Sequence, residues 1–129
     1  MNWLLFLDIV LLFLHTGIVL FSLVGWMFSK TRKLHGYAIC VILAGWLIIG
    51  AIKGHVGYCF LTDIHWDIKR ELGQRNLPSS FTQYLIQEIL QTKITRKLAD
   101  IITILGVVIP VLGSLTIFLL KRTFNIHSK

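Results

Sequence analysis

Three stretches of this chain carry no Lys, Arg, Asp or Glu: residues 9–29, 34–52 and 101–120, which are 21, 19 and 20 residues long. A helix rises 1.5 Å per residue, so roughly 20 apolar residues cross the ~30 Å hydrocarbon core of a bilayer. The first and third stretches meet that length alone. The second reaches it by running on through Gly54 and His55 toward Leu61. The chain is therefore expected to be an integral membrane protein. Its fold class is all-α: a single membrane domain over residues 1–129 with three transmembrane helices at about residues 3–28, 34–59 and 97–120. Pro110 falls in the third span, where lipid-embedded helices tolerate proline and commonly kink.

Composition supports this. Apolar residues make up 55% of the chain and charged residues 15%, too few polar groups to coat a soluble globule. The net charge of +7 would suggest nucleic acid in a soluble protein. Here the basic residues flank the spans, where anionic headgroups and the positive-inside rule account for them, and no nucleic acid is expected. The first apolar run has no positive region before Trp3 and is longer than a signal-peptide core, so it reads as a span. Cys40 and Cys59 fall on the same expected helix, too far apart to bridge each other.

Residues 61–96 form the one polar stretch, and it carries helix signals. Thr62 and Asp63 can cap a helix whose Ile64, Ile68 and Leu72 share a face, and Gly73 closes it. Pro78, Ser79 and Ser80 start a second, with Phe81, Tyr84, Leu85 and Ile89 at helical spacing. Two short amphipathic interfacial helices are expected, at about residues 63–72 and 80–91, docked on the end of the bundle with Trp66 at the interface.

Polar groups inside the spans are costly and mark pairing or function. Asp8, His15 and Ser22 recur every seven residues on one face of the first span. Chain reversal at each loop brings Asp8, Lys53, His55, Cys59 and Asp100 to one leaflet. Lys53 is expected to pair with Asp8 or Asp100, and mid-span His15 to hydrogen-bond a neighbouring helix. His65 follows closely after Cys59, so His55, Cys59 and His65 give a His-x3-Cys-x5-His run, a weak metal candidate because a closed zinc site wants four ligands. Haem is disfavoured, because His15 is mid-span while His35 and His55 lie at opposite ends of the second span. No cofactor is expected. Gly50-x-x-x-Gly54 permits close helix approach, within the bundle or in a homodimer. No hydrolase motif, phosphate loop or catalytic carboxylate pair is present, so nothing marks an enzyme.

Residues 59–66, Cys-Phe-Leu-Thr-Asp-Ile-His-Trp, resemble a motif from a family of small bacterial inner-membrane proteins known as a domain of unknown function. That family pairs it with Leu14-His15, His35, Gly73, and Phe81 with Tyr84-Leu85. Phe60 stands where many members carry proline. The resemblance implies a multi-pass protein of the bacterial inner membrane and brings no catalytic residues. Two function classes follow: a noncatalytic accessory or interaction component, or a membrane protein binding a ligand, metal or redox cofactor through its His and Cys residues. Lys30, Arg32 and Lys33, packed beside two span ends, favour a cytoplasmic short loop and C-terminus, with the N-terminus and long loop outside.

Overall fold

The computed structural model describes residues 2–54 and 59–127 and is helical throughout its regular structure. The helices are α1 (Trp3–Val24), α2 (Arg32–Lys53), α3 (Phe60–Glu71), α4 (Phe81–Leu90) and α5 (Arg96–His127). Three of them, α1, α2 and α5, are long and apolar enough to cross a membrane. The 22 residues of α1 and of α2 rise about 33 Å each, close to the hydrocarbon thickness.

Local chemistry sets the ends. Asn2 caps α1 by accepting from the Leu4 N–H. In the following turn, Thr31 Oγ1 donates to Gly25 O (2.8 Å) and Arg32 Nε to Trp26 O (3.1 Å), so side chains satisfy carbonyls the turn leaves open. The next helix stops earlier than its apolar run suggests. Gly54 takes φ 72, its N–H bonds Gly50 O, and α2 ends at Lys53. The span expected at 34–59 is thus shorter. Cys59 belongs to the start of α3, in a different element from Cys40.

Helix α3 begins before the expected cap. Thr62 and Asp63 lie inside it, and Cys59 is the N-cap without a side-chain bond. It closes in a Schellman turn: Gly73 N bonds Arg70 O and Gln74 N bonds Lys69 O, both at 2.9 Å, with Gly73 at φ 84. Ser80 caps α4 as its sequence suggests, accepting from Gln83 N. Gln83 Nε2 then donates to Ile94 O, tying α4 to the turn before α5.

The interior joins polar groups of α1, α2 and α3 to a small apolar core of Ile39, Trp66, Phe81, Ala99 and Val107, while large apolar side chains cover the exterior. The buried residues of α1 are Asp8, His15 and Ser22, while Leu5, Ile9, Phe13 and Leu20 face outward. Lipid tails solvate such an exterior, so the burial logic of a soluble protein is reversed. Helix α1 is the central element: α3 packs along it most extensively, α5 and α2 flank it, and α4 leans on α5. Near the α1–α2 turn, His35 of α2 is buried with Nε2 2.9 Å from Ser22 O. The Trp26 ring lies so close to Gly113 that a Cβ there would stand 2.6–2.8 Å from ring carbons, so glycine permits this α1-turn contact with α5.

Candidate functional site: a buried charge triad and a five-helix cavity

Helix α3 runs antiparallel to the first half of α1. At its start, Cys59 Sγ lies 3.7 Å from His15 Nε2, level with the middle of α1. Further on, His65 and Lys69 reach Asp8, two turns before His15. Docking is therefore along the flank of α1. The face turned inward also differs from the one that apolar spacing suggests. Thr62, His65, Trp66 and Lys69 are buried, whereas Ile64 is 36% exposed. Their spacing of three, four and seven makes one helical stripe, and it is the polar stripe that meets the polar face of α1. Trp66, expected at an interface, is instead buried, and its Nε1 donates to Pro78 O at 2.6 Å.

Asp8, His65 and Lys69 form a buried triad. His65 Nε2 donates to Asp8 Oδ1 at 2.8 Å. Lys69 Nζ stands 2.9 Å from Oδ1 and 3.2 Å from Oδ2, and 4.9 Å over the Tyr84 ring. His65 is 0% and Lys69 2% exposed. Burial pushes the His65 pKa below its ordinary value and outweighs the upward pull of Asp8, with the Lys69 charge adding to the lowering. Burial alone would also depress Lys69; hydrogen bonds to Asp8 and Tyr84 outweigh it and raise Lys69 above its ordinary value. The triad thus reads as carboxylate, ammonium and neutral imidazole. With Nε2–H given to Asp8, the His65 lone pair sits on Nδ1, which has no hydrogen-bond partner among the described residues.

Beside the triad lies a cavity of about 200 Å³ between all five helices. Ile18, Val19 and Ile42 give it apolar wall, and Trp46 and Trp66 give it aromatic wall. Polar groups interrupt the wall: His15, Ser22, Cys59, Thr62 and Thr103. Thr103 Oγ1 donates to Ala99 O and lies 2.8 Å from Thr82 Oγ1, joining α5 to α4. The His15 ring is 5% exposed and stacks on Phe81 with centroids 3.7 Å apart and planes at 10°. Its Nε2 faces Cys59, but Nδ1 has no partner among the described residues. A buried imidazole with one nitrogen unpartnered among the described residues, on a cavity wall, keeps hydrogen-bonding capacity for a further atom.

The residues singled out from sequence separate as follows. Asp8, His65, His15 and Cys59 gather around α3. Lys53, expected to pair with Asp8 or Asp100, ends α2 on an exposed surface, and Lys69 stands beside Asp8. Asp100 has Arg96 as its ion-pair partner, one turn away at 3.8 Å. His55 lies outside the described residues. Of the possible metal set, Cys59 turns to His15 and His65 to Asp8, and no group of three potential ligands stands together among the described residues. Gly50 is buried on α2, while Gly54 serves as its left-handed cap. Lys69 was the residue that sequence spacing missed; its signal was the stripe it shares with Thr62, His65 and Trp66.

Compared with known families, residues 5–127 match the one described as Protein of Unknown function (DUF2784). The match spans nearly the whole chain, and the protein belongs to this family. No curated protein matches the chain. No solved structure matches it either.

Proposed function

We propose that this member of the family is a membrane-embedded binding protein for a small, largely apolar molecule that carries a hydrogen-bonding group. The observation that carries this reading is the five-helix cavity with the half-satisfied His15 on its wall. A noncatalytic accessory role, the other class open from sequence, gives no reason for such a space. Dense packing is the rule in protein interiors, and an engineered apolar cavity of ~150 Å³ is enough to hold benzene. We further propose that the membrane is the bacterial cytoplasmic membrane, as the resemblance at residues 59–66 implies for chains of this kind.

Ligand-linked stability tests the reading. A molecule that binds only the folded state raises the unfolding midpoint with its concentration. In lipid nanodiscs, a benzene-sized aromatic is expected to stabilise the native protein. Val19→Phe, which fills the cavity from α1, is expected to abolish that response. Ile52→Phe, on the exposed face of α2, is expected to retain it. The same stabilisation in all three proteins would refute a cavity site.

A further inference from the structure

We infer that the cavity takes a planar six-membered ring bearing oxygen substituents, a quinone or quinol head group; this rests on the binding reading above. Size is the first argument. About 200 Å³ exceeds what one unsubstituted ring needs, and falls below the ~300 Å³ at which drug-sized pockets begin. Charge is the second. No Lys or Arg is among the described residues that line the space, which disfavours phosphate or carboxylate ligands, and Asp63, a charged residue of the lining, is already engaged. The occupant is therefore uncharged.

Hydrogen-bond chemistry is the third argument. A neutral imidazole has one N–H and one lone pair, on different nitrogens. If Cys59 S–H donates to His15 Nε2, then Nδ1 carries the proton and donates to a carbonyl oxygen. If Nε2–H donates to Cys59 Sγ, then Nδ1 accepts from a hydroxyl. The Cys59–His15 contact at 3.7 Å thus accommodates both a carbonyl and a hydroxyl ligand with the same heavy atoms. Thr82 and Thr103 place two hydroxyl oxygens on the wall; one of their protons goes to Ala99 O and the other lies between them, so the pair offers lone pairs to a ligand hydroxyl. Trp46 and Trp66 supply aromatic wall against which a planar ring can pack. A molecule with both carbonyl and hydroxyl forms of one planar ring matches this set. It can come from the lipid phase with an isoprenoid tail, or from water without one.

The probes are 2,3-dimethoxy-5-methyl-1,4-benzoquinone, the same ring with a decyl tail, and oxygen-free 1,2,4,5-tetramethylbenzene. Each is titrated against nanodisc-embedded protein, with tryptophan quenching for the quinones and thermal stabilisation for all three. The quinones are expected to bind saturably. His15→Phe keeps the stack on Phe81 and removes both nitrogens; it is expected to weaken the quinones about five- to tenfold and leave tetramethylbenzene unchanged. Val19→Phe is expected to weaken every ring, which keeps the test decisive should His15→Phe not fold. Tighter binding of the tailed quinone identifies a lipid-phase ligand; equal binding identifies a free one. Tetramethylbenzene binding as well as the quinones, with no effect of His15→Phe, would overturn the quinoid assignment and leave the cavity reading standing. Saturable binding by none of the three would overturn both.

Discussion

Removing the Asp8 carboxylate should undo the docking of α3 on α1. In Asp8→Leu, Lys69 keeps its 2% exposure and loses the anion beside it. Breaking a buried pair from one side costs about 3–5 kcal/mol. The penalty has a ceiling, because the ammonium can shed its proton. From an ordinary Lys value that costs about 4.5 kcal/mol at neutral pH, at ~1.36 kcal/mol per unit. Lys69→Met should cost a similar ~3–5 kcal/mol, because Asp8 would keep only His65. The double variant Asp8→Leu with Lys69→Met leaves no unpaired charge. Its main defect is the orphaned His65 N–H, worth ~1–3 kcal/mol. The pair should therefore fall short of additivity by at least ~3 kcal/mol, far outside the ~0.5 kcal/mol scatter of independent sites. Equilibrium unfolding in mixed micelles of rising dodecyl sulfate fraction, followed by circular dichroism, measures all four proteins. Additive costs, or Asp8→Leu within ~1 kcal/mol of the native protein, would refute the triad as the contact that holds α3.

Gly113→Val should destabilise the bundle by ~1–3 kcal/mol through the Trp26 ring, and Trp26→Leu should recover part of that loss; thermal unfolding of the single and double variants reads it. Because the folded His65 pKa lies below its unfolded value, the unfolded chain binds more protons in that window, so stability should fall as pH drops below ~6.5 and level off below the folded value. His65→Gln should flatten that slope in a pH series of unfolding midpoints, and an unchanged slope would remove His65 as the cause. Cysteine labelling at positions 32 and 75 in intact cells tests orientation: position 75 should react from outside and position 32 only from the cytoplasm.

The charge-free runs made the three spans legible, because length and apolarity alone decide whether a helix can cross lipid. The seven-residue recurrence of Asp8, His15 and Ser22 made the inner face of α1 legible too, and those three are its buried residues. The end of α2 was harder to see. Gly54 read as half of a packing motif, while its structural role is the left-handed cap, and nothing in composition separates the two uses. The inner face of α3 is not the one its apolar spacing marks, for a physical reason. Ile64, Ile68 and Leu72 mark the buried side of a soluble amphipathic helix, but here lipid is an acceptable solvent for them and Asp8 is the group in need of partners. Lys53 matched Asp8 in depth along the chain, yet Lys69 is nearer in space, because α3 turns back along α1. That contact joins residues 61 apart in sequence, and local pattern carries no record of it.

The two parts of the site share one helix, which explains why a costly triad is worth keeping. Apolar side chains facing each other in lipid gain little, since the tails are equally apolar, so α3 has no strong hydrophobic reason to lie against α1. Its ionic and hydrogen-bonded contacts to Asp8 supply that reason, and they hold in one register, because His65 and Lys69 must meet the same carboxylate. That register also sets the opposite end of α3, where Cys59 reaches His15, and where Thr62 and Trp66 complete the cavity wall. Without α3 in place, the five-helix space would be an open groove on α1 and α5. The polar residues of α1 thus divide the labour along one face: Asp8 holds the helix that makes the cavity, and His15 offers that cavity its unpaired nitrogen.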